Sequence, residues 1–329
     1  MAKVLAYIST KNRHEELYSA ILSIAMQTRM PDRTVIFDDN DEFDLLKYQS
    51  PKWNHLFDLF KIKGTKLEVF PGAKSGQHYN HQTAQTMGCE LCWRMDDDCF
   101  AEPSVLEALE GKFDADVGAV GGYILTPPVG DSSDAQSIIG NLYLPNVQWC
   151  KNQEAQAVDH LNCSFLYRAG VANYNLNLSP VAHREETMFS YEIKRAGYKV
   201  LFEPSATTWH FKCPSGGIRS HNSQFFYDHD EKIFQEKLKE WGIGESKVVY
   251  LKNGLGDNLM CYGLLDELKA KYANLVIATT YPEVWKDSGV TVIRVEEAKV
   301  NEDEHNIYKY AIDNKWTTSM IDLYRKMYL

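Results

Sequence analysis

The fold of this chain is decided by Leu91–Asp98, LCWRMDDD, in which five strand-like residues lead into three consecutive aspartates. Carboxylates side by side at the end of a buried strand repel one another, and each raises the pKa of its neighbours. A divalent cation removes that cost, and Mg²⁺ and Mn²⁺ prefer oxygen ligands. The stretch therefore predicts a metal site at a strand end, although an acidic turn or a helix N-cap would use the same residues.

Strands and helices alternate on both sides of this stretch. Short apolar or β-branched runs predict strands, and apolar residues spaced three or four apart predict helices. The expected strands are 4–8, 34–37, 66–70, 91–95, 118–124, 142–144, 161–167, 198–202 and 206–210. One expected helix begins at Glu15, and four others cover 45–60, 78–87, 185–196 and 225–241. This alternation indicates a mostly parallel sheet whose second half is mixed.

A second acidic pair, Asp38-Asp39, follows the strand predicted at 34–37. In open sheets of this class, ligands bind beyond the carboxyl ends of the strands. Both acidic clusters fall at that edge, so we expect them to line one site. Aspartates after a strand are also typical of ordinary turns, and the pair alone does not separate these two interpretations.

The length of 329 residues predicts two domains, 1–245 and 246–329, because single cores rarely grow beyond roughly 250–300 residues. A new strand–helix–strand pattern starts after residue 246, with strands at 248–250 and 275–279 and a helix at 259–272. It predicts a small C-terminal α/β domain, half of a Rossmann-like fold.

The composition narrows the class of protein. With 35 Lys plus Arg against 45 Asp plus Glu, the formal charge is −10, which disfavours bulk nucleic-acid binding. The seven cysteines are an odd number in a chain large enough to need no disulfides, which indicates reduced thiols and a cytoplasmic protein. Cys89 and Cys92 form a single CxxC, read as a structural pair. No apolar run approaches the roughly 20 residues of a transmembrane helix.

Several ordered pieces of the first 240 or so residues resemble family 2 of the GT-A glycosyltransferases. Ala6–Arg13 is similar to the family's first strand and donor loop, and Ile36–Asn40 to its second-strand motif. Arg94–Asp98 resembles the DxD stretch, His183–Thr187 the acidic motif before a helix, and Thr208–His210 the strand end that carries a histidine. The resemblance implies a GT-A fold, a Rossmann-like, mostly parallel sheet with a mixed acceptor half.

The resemblance also implies site residues. The metal, Mn²⁺ or Mg²⁺, would be held by Asp96, Asp98 and His210. The donor would be bound by Thr10, Asn12, Arg13, Asp38, Asp39, Lys74, Asn80, Asp96 and Asp97. Tyr79 stands where the family commonly has an arginine, so Lys74 would supply the missing cation. A lone histidine at a strand end is more often structural, and only its context favours a ligand.

The catalytic base implied by the resemblance is Glu186, with Glu185 as the second candidate. The family usually has an aspartate there, and the glutamate places its carboxylate one methylene further out. A base must reach the attacking hydroxyl, and a somewhat raised pKa suits it. Acids that simply stabilise the N-terminus of a helix would give the same two glutamates.

The function implied is transfer of a sugar from a nucleoside diphosphate sugar, UDP-linked by resemblance, to an acceptor hydroxyl with inversion. The acceptor stays open among a glycan, a protein, a lipid carrier and a hydroxylated nucleobase. Nucleotidyl transfer is a rival, but it would normally need a glycine-rich phosphate loop, and Ser9–Arg13 has no glycine. A catalytically silent nucleotide-sugar or glycan-binding protein is the non-enzymatic alternative.

The C-terminal piece has its own motif. Lys252–Met260, KNGLGDNLM, resembles the opening of heptosyltransferase-like GT-B proteins, where glycines permit a tight turn into a helix. We expect a docking or acceptor-positioning module. Trp285, Trp316 and Tyr324 are candidates for packing it on the main domain or on a second subunit, which would make a homo-oligomer.

Overall fold

A computed structural model of the chain describes residues 2–127, 154–217, 223–241, 246–272, 274–298, 300, 305–317 and 319–329. The strand expected at 142–144 lies outside the described residues. Contacts divide the chain into two compact units, and Gln235 and Glu236 fall on either side of the division. Among the helices described, none combines the length and the apolar character needed to cross a lipid bilayer.

The larger unit is built on one sheet, which has nine strands within the described residues. They are β1 (Val4–Thr10), β2 (Arg33–Asp38), β3 (Leu67–Pro71), β4 (Leu91–Met95), β5 (Cys99–Ala101), β6 (Val117–Leu125), β7 (Gln156–Ala157), β8 (Ser164–Arg168) and β9 (Lys199–His210). Their order is β3-β2-β1-β4-β8-β6-β9-β5, and β7 pairs with β9. β3, β2, β1 and β4 are parallel, whereas β8 is antiparallel to β4 and β6. The predicted mostly parallel sheet with a mixed second half is confirmed.

Side chains of the strands alternate between two apolar layers. In β1, Val4, Ala6 and Ile8 enter one hydrophobic cluster, while Leu5 and Tyr7 enter the other. The same period of two in β4 sends Trp93 into the first cluster and puts Arg94 against the ring of Phe165 on the other side. A guanidinium is thereby buried in an apolar layer, where it needs charged partners.

The helices of this unit are α1 (His14–Ala25), α2 (Pro51–Ile62), α3 (Gln77–Ala84), α4 (Val105–Glu110) and α5 (Glu185–Arg195). The division between the units falls within a sixth helix, α6 (Gln224–Glu240). The single helix predicted over 45–60 is wrong. A 3₁₀ turn occupies Leu45–Tyr48, and α2 starts only at Pro51. Ser50 is extended, with ψ of 157°, because a residue before proline avoids the helical region.

Strand β9 was expected as two strands, 198–202 and 206–210, but it is one strand with a bulge. Its pairing with β6 jumps from Gly122 opposite Glu203 to Tyr123 opposite Thr207. A Cβ added to Gly122 would lie 1.9 Å from the carbonyl oxygen of Ala206, so only glycine fits opposite the bulge. The bulge lets β9 continue in register to His210.

The C-terminal unit contains a three-stranded parallel sheet, β10 (Ser246–Leu251), β11 (Asn274–Thr279) and β12 (Thr291–Arg294), in that order. Its helices are α7 (Leu255–Tyr262), α8 (Leu265–Lys271), α9 (Ile307–Asp313) and α10 (Met320–Tyr328). The small α/β domain is confirmed. The single helix expected over 259–272 is divided at Gly263, a residue with low helix propensity.

Two aromatic residues expected at an interface belong instead to this unit's own core. Trp285 and Tyr324 are fully buried in its hydrophobic cluster. The indole of Trp285 donates to Asn258 at 3.0 Å, and the hydroxyl of Tyr324 donates to Asp257 at 3.0 Å. Because both side chains are used internally, the suggestion that they pack the unit onto another surface is wrong.

Candidate active site

The three residues predicted to bind the metal, Asp96, Asp98 and His210, converge at the carboxyl end of β4. The aspartates follow Met95 directly, and His210 is the last residue of β9, paired across the sheet with Cys99. One ligand atom from each of the three residues lies within 4.8 Å of the others. Imidazole Nε2 of His210 is 3.3 Å from Oδ1 of Asp98. The fold thus brings together the three side chains that the sequence assigns to a metal.

These donors fit a divalent cation. Two carboxylates suit Mg²⁺ or Mn²⁺, and the imidazole moves the preference toward a first-row transition metal such as Mn²⁺. Burial raises the pKa of Asp98, but hydrogen bonding to His210 and the charge of Arg13 outweigh it, and the pKa lies below its ordinary value. Asp98 is therefore held as an anion, the form that binds a metal.

Arg13 contacts two of the three aspartates that follow β4. Its Nη1 lies 2.8 Å from Oδ1 of Asp97 and 3.1 Å from Oδ2 of Asp98, while Nε donates to the carbonyl of Ser215 at 2.7 Å. The other oxygen of Asp97 accepts from the hydroxyl of Thr10 at 2.8 Å. Thr10, Arg13 and Asp97, all predicted to bind the donor, are thus engaged with one another. Their observed contacts stabilise the cluster.

Arg94 joins the two acidic motifs. Its Nη1 lies 2.6 Å from Oε1 of Glu185, and its Nη2 lies 3.0 Å from Oδ1 of Asp96 and 3.2 Å from Oε1 of Glu186. The guanidinium is completely buried. The guanidinium of Arg94 therefore fixes the positions of Asp96 and of both candidate bases.

The two glutamates at the start of α5 have different environments. Glu185 has a side chain 2% exposed, and it also accepts from Gln77 at 3.1 Å. Burial favours its neutral form, but Arg94 outweighs this and lowers the pKa of Glu185 to about 2. Its carboxylate is a fixed anion inside the protein.

Glu186 is the more accessible of the two, with 23% of its side chain exposed. Its Oε1 accepts from the backbone N–H of Cys163 at 2.7 Å. Burial raises the pKa of Glu186 to about 8; the charge of Arg94 opposes this, and the carboxylates of Asp96 and Glu185 add to it. A carboxyl group with a raised pKa suits a general base.

A cleft opens beside Thr10, the residue that hydrogen-bonds to Asp97. Asp39 and Lys74 line it, together with Ser9, Thr10, Lys11, Gly76, Gln77, Pro180 and Gly217. Asp39 accepts from the backbone N–H of Lys74 at 2.9 Å and from the amide of Asn80 at 2.8 Å. A Cβ on Gly72 would lie 2.1 Å from Oδ1 of Asp39, so glycine makes room for this carboxylate.

Asp38 and Asn12 are not among the residues that line this cleft. Asp38 is fully buried, and its two oxygens accept from the backbone N–H of Asn40 and from the hydroxyl of Tyr48, each at 2.9 Å. Asn12 adopts a φ of 59° and donates its backbone N–H to Asn40 at 2.9 Å. These hydrogen bonds shape the loops that follow β1 and β2.

The comparisons with known proteins rest on structure. No family model matches the chain, and no curated protein matches its sequence. GalNAc-T7, solved with UDP, GalNAc and Mn²⁺, aligns with a TM-score of 0.55 at 13% identity over 92% of this chain and 57% of its own. The mannosyltransferase PcManGT from Pyrobaculum calidifontis, in complex with GDP-Man and Mn²⁺, aligns with a TM-score of 0.50 at 14% identity over 71% of this chain and 64% of its own.

The chain has a GT-A glycosyltransferase fold. The predicted fold class is thereby confirmed. The chain spans less than two thirds of the length of either structure. At this level of identity the likeness concerns the fold alone. The resemblance of Lys252–Met260 to heptosyltransferase-like proteins finds no support in these comparisons and stays a prediction.

Three residues of this GT-A site were not assigned a role from the sequence. Arg94 had a signal, since an arginine inside a buried strand must find counter-charges. Lys11 lines the cleft and lies 2.9 Å from Asp41, within the donor loop already singled out. Cys163 contacts Glu186 through its backbone and His210 through its thiol, at 3.4 Å. Its position depends on pairing between distant strands, which no local pattern reveals.

Proposed function

We propose that this protein is a metal-dependent glycosyltransferase that moves a sugar from a nucleoside diphosphate sugar to an acceptor hydroxyl. One observation carries the proposal: Nη2 of Arg94 contacts both Asp96 at 3.0 Å and Glu186 at 3.2 Å. The same guanidinium thus sets a metal-site carboxylate beside a carboxyl group with a raised pKa. This juxtaposition lies at the strand ends where open α/β sheets bind ligands.

Asp96, Asp98 and His210 would hold Mn²⁺. When bound, the cation would supply charge compensation for the diphosphate leaving group. Arg13 keeps Asp98 oriented from the opposite side through its 3.1 Å contact. The donor would occupy the cleft lined by Asp39 and Lys74, where Asp39 would accept from the base and Lys74 would place a cation near the phosphates.

Glu186 would act as the general base. Its Oε1 is held by Cys163 and Arg94, whereas Oε2 accepts no hydrogen bond from the residues that the structure describes. The acceptor hydroxyl would give its proton to Oε2 as its oxygen attacks the sugar. A single displacement with one base inverts the anomeric centre. Glu185 would not exchange protons, since it is the buried counter-ion of Arg94.

The finer assignments are also ours. UDP is the nucleotide we favour, from the resemblance in the first 240 residues, and the acceptor is a hydroxyl of a glycan, protein, lipid carrier or nucleobase. The six described cysteines are free thiols, which supports a reducing, cytoplasmic location. We keep the domain limits 1–245 and 246–329 and assembly through the C-terminal domain as proposals.

The test is donor consumption. The full-length protein is incubated with Mn²⁺ and UDP-, GDP-, CDP-, ADP- or dTDP-linked sugars, and released nucleoside diphosphate is measured by chromatography, with chelator as control. We expect release from one donor, dependent on metal and increased by a suitable acceptor. The anomeric configuration of a transferred sugar, read by NMR, then tests inversion.

Other outcomes discriminate the rival functions. Release of pyrophosphate from a nucleoside triphosphate and a sugar phosphate would replace the proposal with nucleotidyl transfer. Metal-dependent nucleotide binding without turnover of any donor, with or without acceptors, would make the protein a binding module.

A further inference from the structure

A second cluster of potential metal ligands lies next to His210, on the side of the ring that faces away from Asp98. The thiols of Cys99 and Cys163 and a ring nitrogen of His210 lie within 4.8 Å of one another. Imidazole Nδ1, the nitrogen that faces away from Asp98, is 3.4 Å from Sγ of Cys163. Both thiols are buried, and nothing in the proposed transfer reaction uses them.

We propose that Cys99, Cys163 and His210 form a binding site for a thiophilic divalent cation, of which Zn²⁺ is the type, and that this cation competes with Mn²⁺ for His210. Thiolate and imidazole ligands select zinc over magnesium or manganese. A tetrahedral zinc with bonds of about 2.3 Å to sulfur and 2.0 Å to nitrogen separates those atoms by about 3.5 Å. The observed sulfur–nitrogen distance of 3.4 Å matches this spacing.

The backbone holds these ligands in place. Cys99 and His210 are cross-strand partners in the antiparallel pair of β5 and β9, so register alone sets the thiol beside the ring. Cys163 has a φ of 53°, a conformation that non-glycine residues rarely adopt. Its carbonyl accepts from Asp96 at 3.0 Å and its N–H donates to Glu186 at 2.7 Å. Strain of this kind persists where the surroundings fix it, commonly at functional sites.

Competition follows from the two nitrogens of one ring. With zinc on Nδ1, the ring proton resides on Nε2 and is donated to Oδ1 of Asp98, 3.3 Å away. A carboxylate behind a zinc-bound histidine is a common outer-shell arrangement. His210 is then lost to the Mn²⁺ site. When zinc binds, the two thiols and Nδ1 of the protonated ring each release a proton to solvent, and water fills the fourth position.

The zinc site stands on its own geometry, whereas its inhibitory effect rests on the proposed function. The first arm of the test therefore measures metal alone. Reduced, chelator-treated full-length protein is titrated with Co²⁺, and thiolate-to-cobalt charge transfer and tetrahedral d–d bands are recorded before displacement by Zn²⁺. Cys99→Ser and Cys163→Ser are tested separately, with their folding checked by thermal melting.

The matched control is the Cys89→Ser/Cys92→Ser protein, because these two thiols lie 3.2 Å apart and could also bind a soft metal. We expect the wild type and this control to bind one tetrahedral equivalent, while Cys99→Ser and Cys163→Ser bind more than about a hundredfold more weakly, beyond the loss of an outer-shell contact. The proposed site is refuted if the wild type shows no charge-transfer band, or if the band is lost only in the control.

The second arm follows bound Mn²⁺ by electron paramagnetic resonance. Because Zn²⁺ also exceeds Mn²⁺ in affinity for sites of nitrogen and oxygen ligands, the readout is the Zn²⁺ concentration that releases half of the Mn²⁺, which should be lower for the wild type than for Cys99→Ser. Equal concentrations overturn the competition. Retention of Mn²⁺ by the zinc-loaded wild type overturns the competition. If the wild type does not bind Mn²⁺, both the proposed Mn²⁺ dependence of the enzyme and the competition between the two metals are refuted. The Co²⁺ titration still tests the thiol site independently.

Discussion

In each unit of this protein a parallel strand is followed closely by acidic residues, in a turn directly after β4 and in the first turn of α7 after β10, with different results. After β4, one ligand atom from each of Asp96, Asp98 and His210 lies within 4.8 Å of the others. After β10, Asp257 is buried, and its two oxygens accept from the hydroxyls of Tyr324 at 3.0 Å and Tyr308 at 3.1 Å.

The difference lies in which groups neutralise each carboxylate. Neutral tyrosine hydroxyls satisfy the carboxylate of Asp257 within its own unit, so it contributes to packing. The carboxylates after β4 face one another, and like charges so placed are stable only with cations. Arg13 and Arg94 supply part of that charge from inside the protein. A metal would supply the remainder from the open side.

The largest effect should come from Glu186→Gln. The amide keeps the contact with Cys163 but cannot take a proton, and loss of a general base lowers kcat by about 10²–10⁴-fold. Nucleotide binding should persist, because Glu186 is no metal ligand in this account. Donor turnover and nucleotide calorimetry measure the two effects. Glu192→Gln, on the same helix, is the control. Full activity in Glu186→Gln would remove the base from the proposal.

A large effect on stability should come from the neighbouring change, Glu185→Gln. Removing one partner of a buried ion pair leaves Arg94 short of a counter-charge, and such changes lower the free energy of unfolding by about 3–5 kcal/mol. Urea unfolding measures the loss, with Glu186→Gln as the matched variant. Equal stability of the two variants would contradict the division into a buried anchor and an accessible base.

The smallest effect should come from Asp257→Asn in the C-terminal unit. Its amide can still meet one tyrosine as an acceptor, so we expect a loss of about 1–3 kcal/mol in the free energy of unfolding, as for a disturbed buried hydrogen bond. The exposed Asp287→Asn is the control, with a change within about 0.5 kcal/mol. Metal-dependent nucleotide binding should not change, and its loss would show that Asp257 and the aspartates after β4 serve the same function.

Local patterns predicted much of this fold. The strand at 91–95 matches β4 residue for residue, and alternation with helices gave the parallel half of the sheet. The misjudged elements, 45–60, 198–210 and 259–272, depended on a pre-proline residue, a bulge opposite Gly122 and a glycine in a helix. Of these, the bulge depends on a partner strand that sequence periodicity does not contain.

The site was predictable in its motifs but less so in its contacts. The aspartates and glutamates stand out because each motif places charge at a strand or helix end. Sequence could not separate Asp38, bonded to Tyr48, from Asp39 in the cleft, because adjacent residues differ only in direction. Nor could it link Arg94 to Glu185, which is 91 residues away. Such pairings depend on topology.

The most direct test of the central claim is calorimetry of UDP binding, with and without Mn²⁺, to the wild type, Asp98→Asn and Asp257→Asn. We expect UDP binding that requires Mn²⁺, persists in Asp257→Asn and disappears in Asp98→Asn while that variant stays folded. Binding of UDP that needs no metal and survives Asp98→Asn would contradict a metal-dependent donor site at the end of β4.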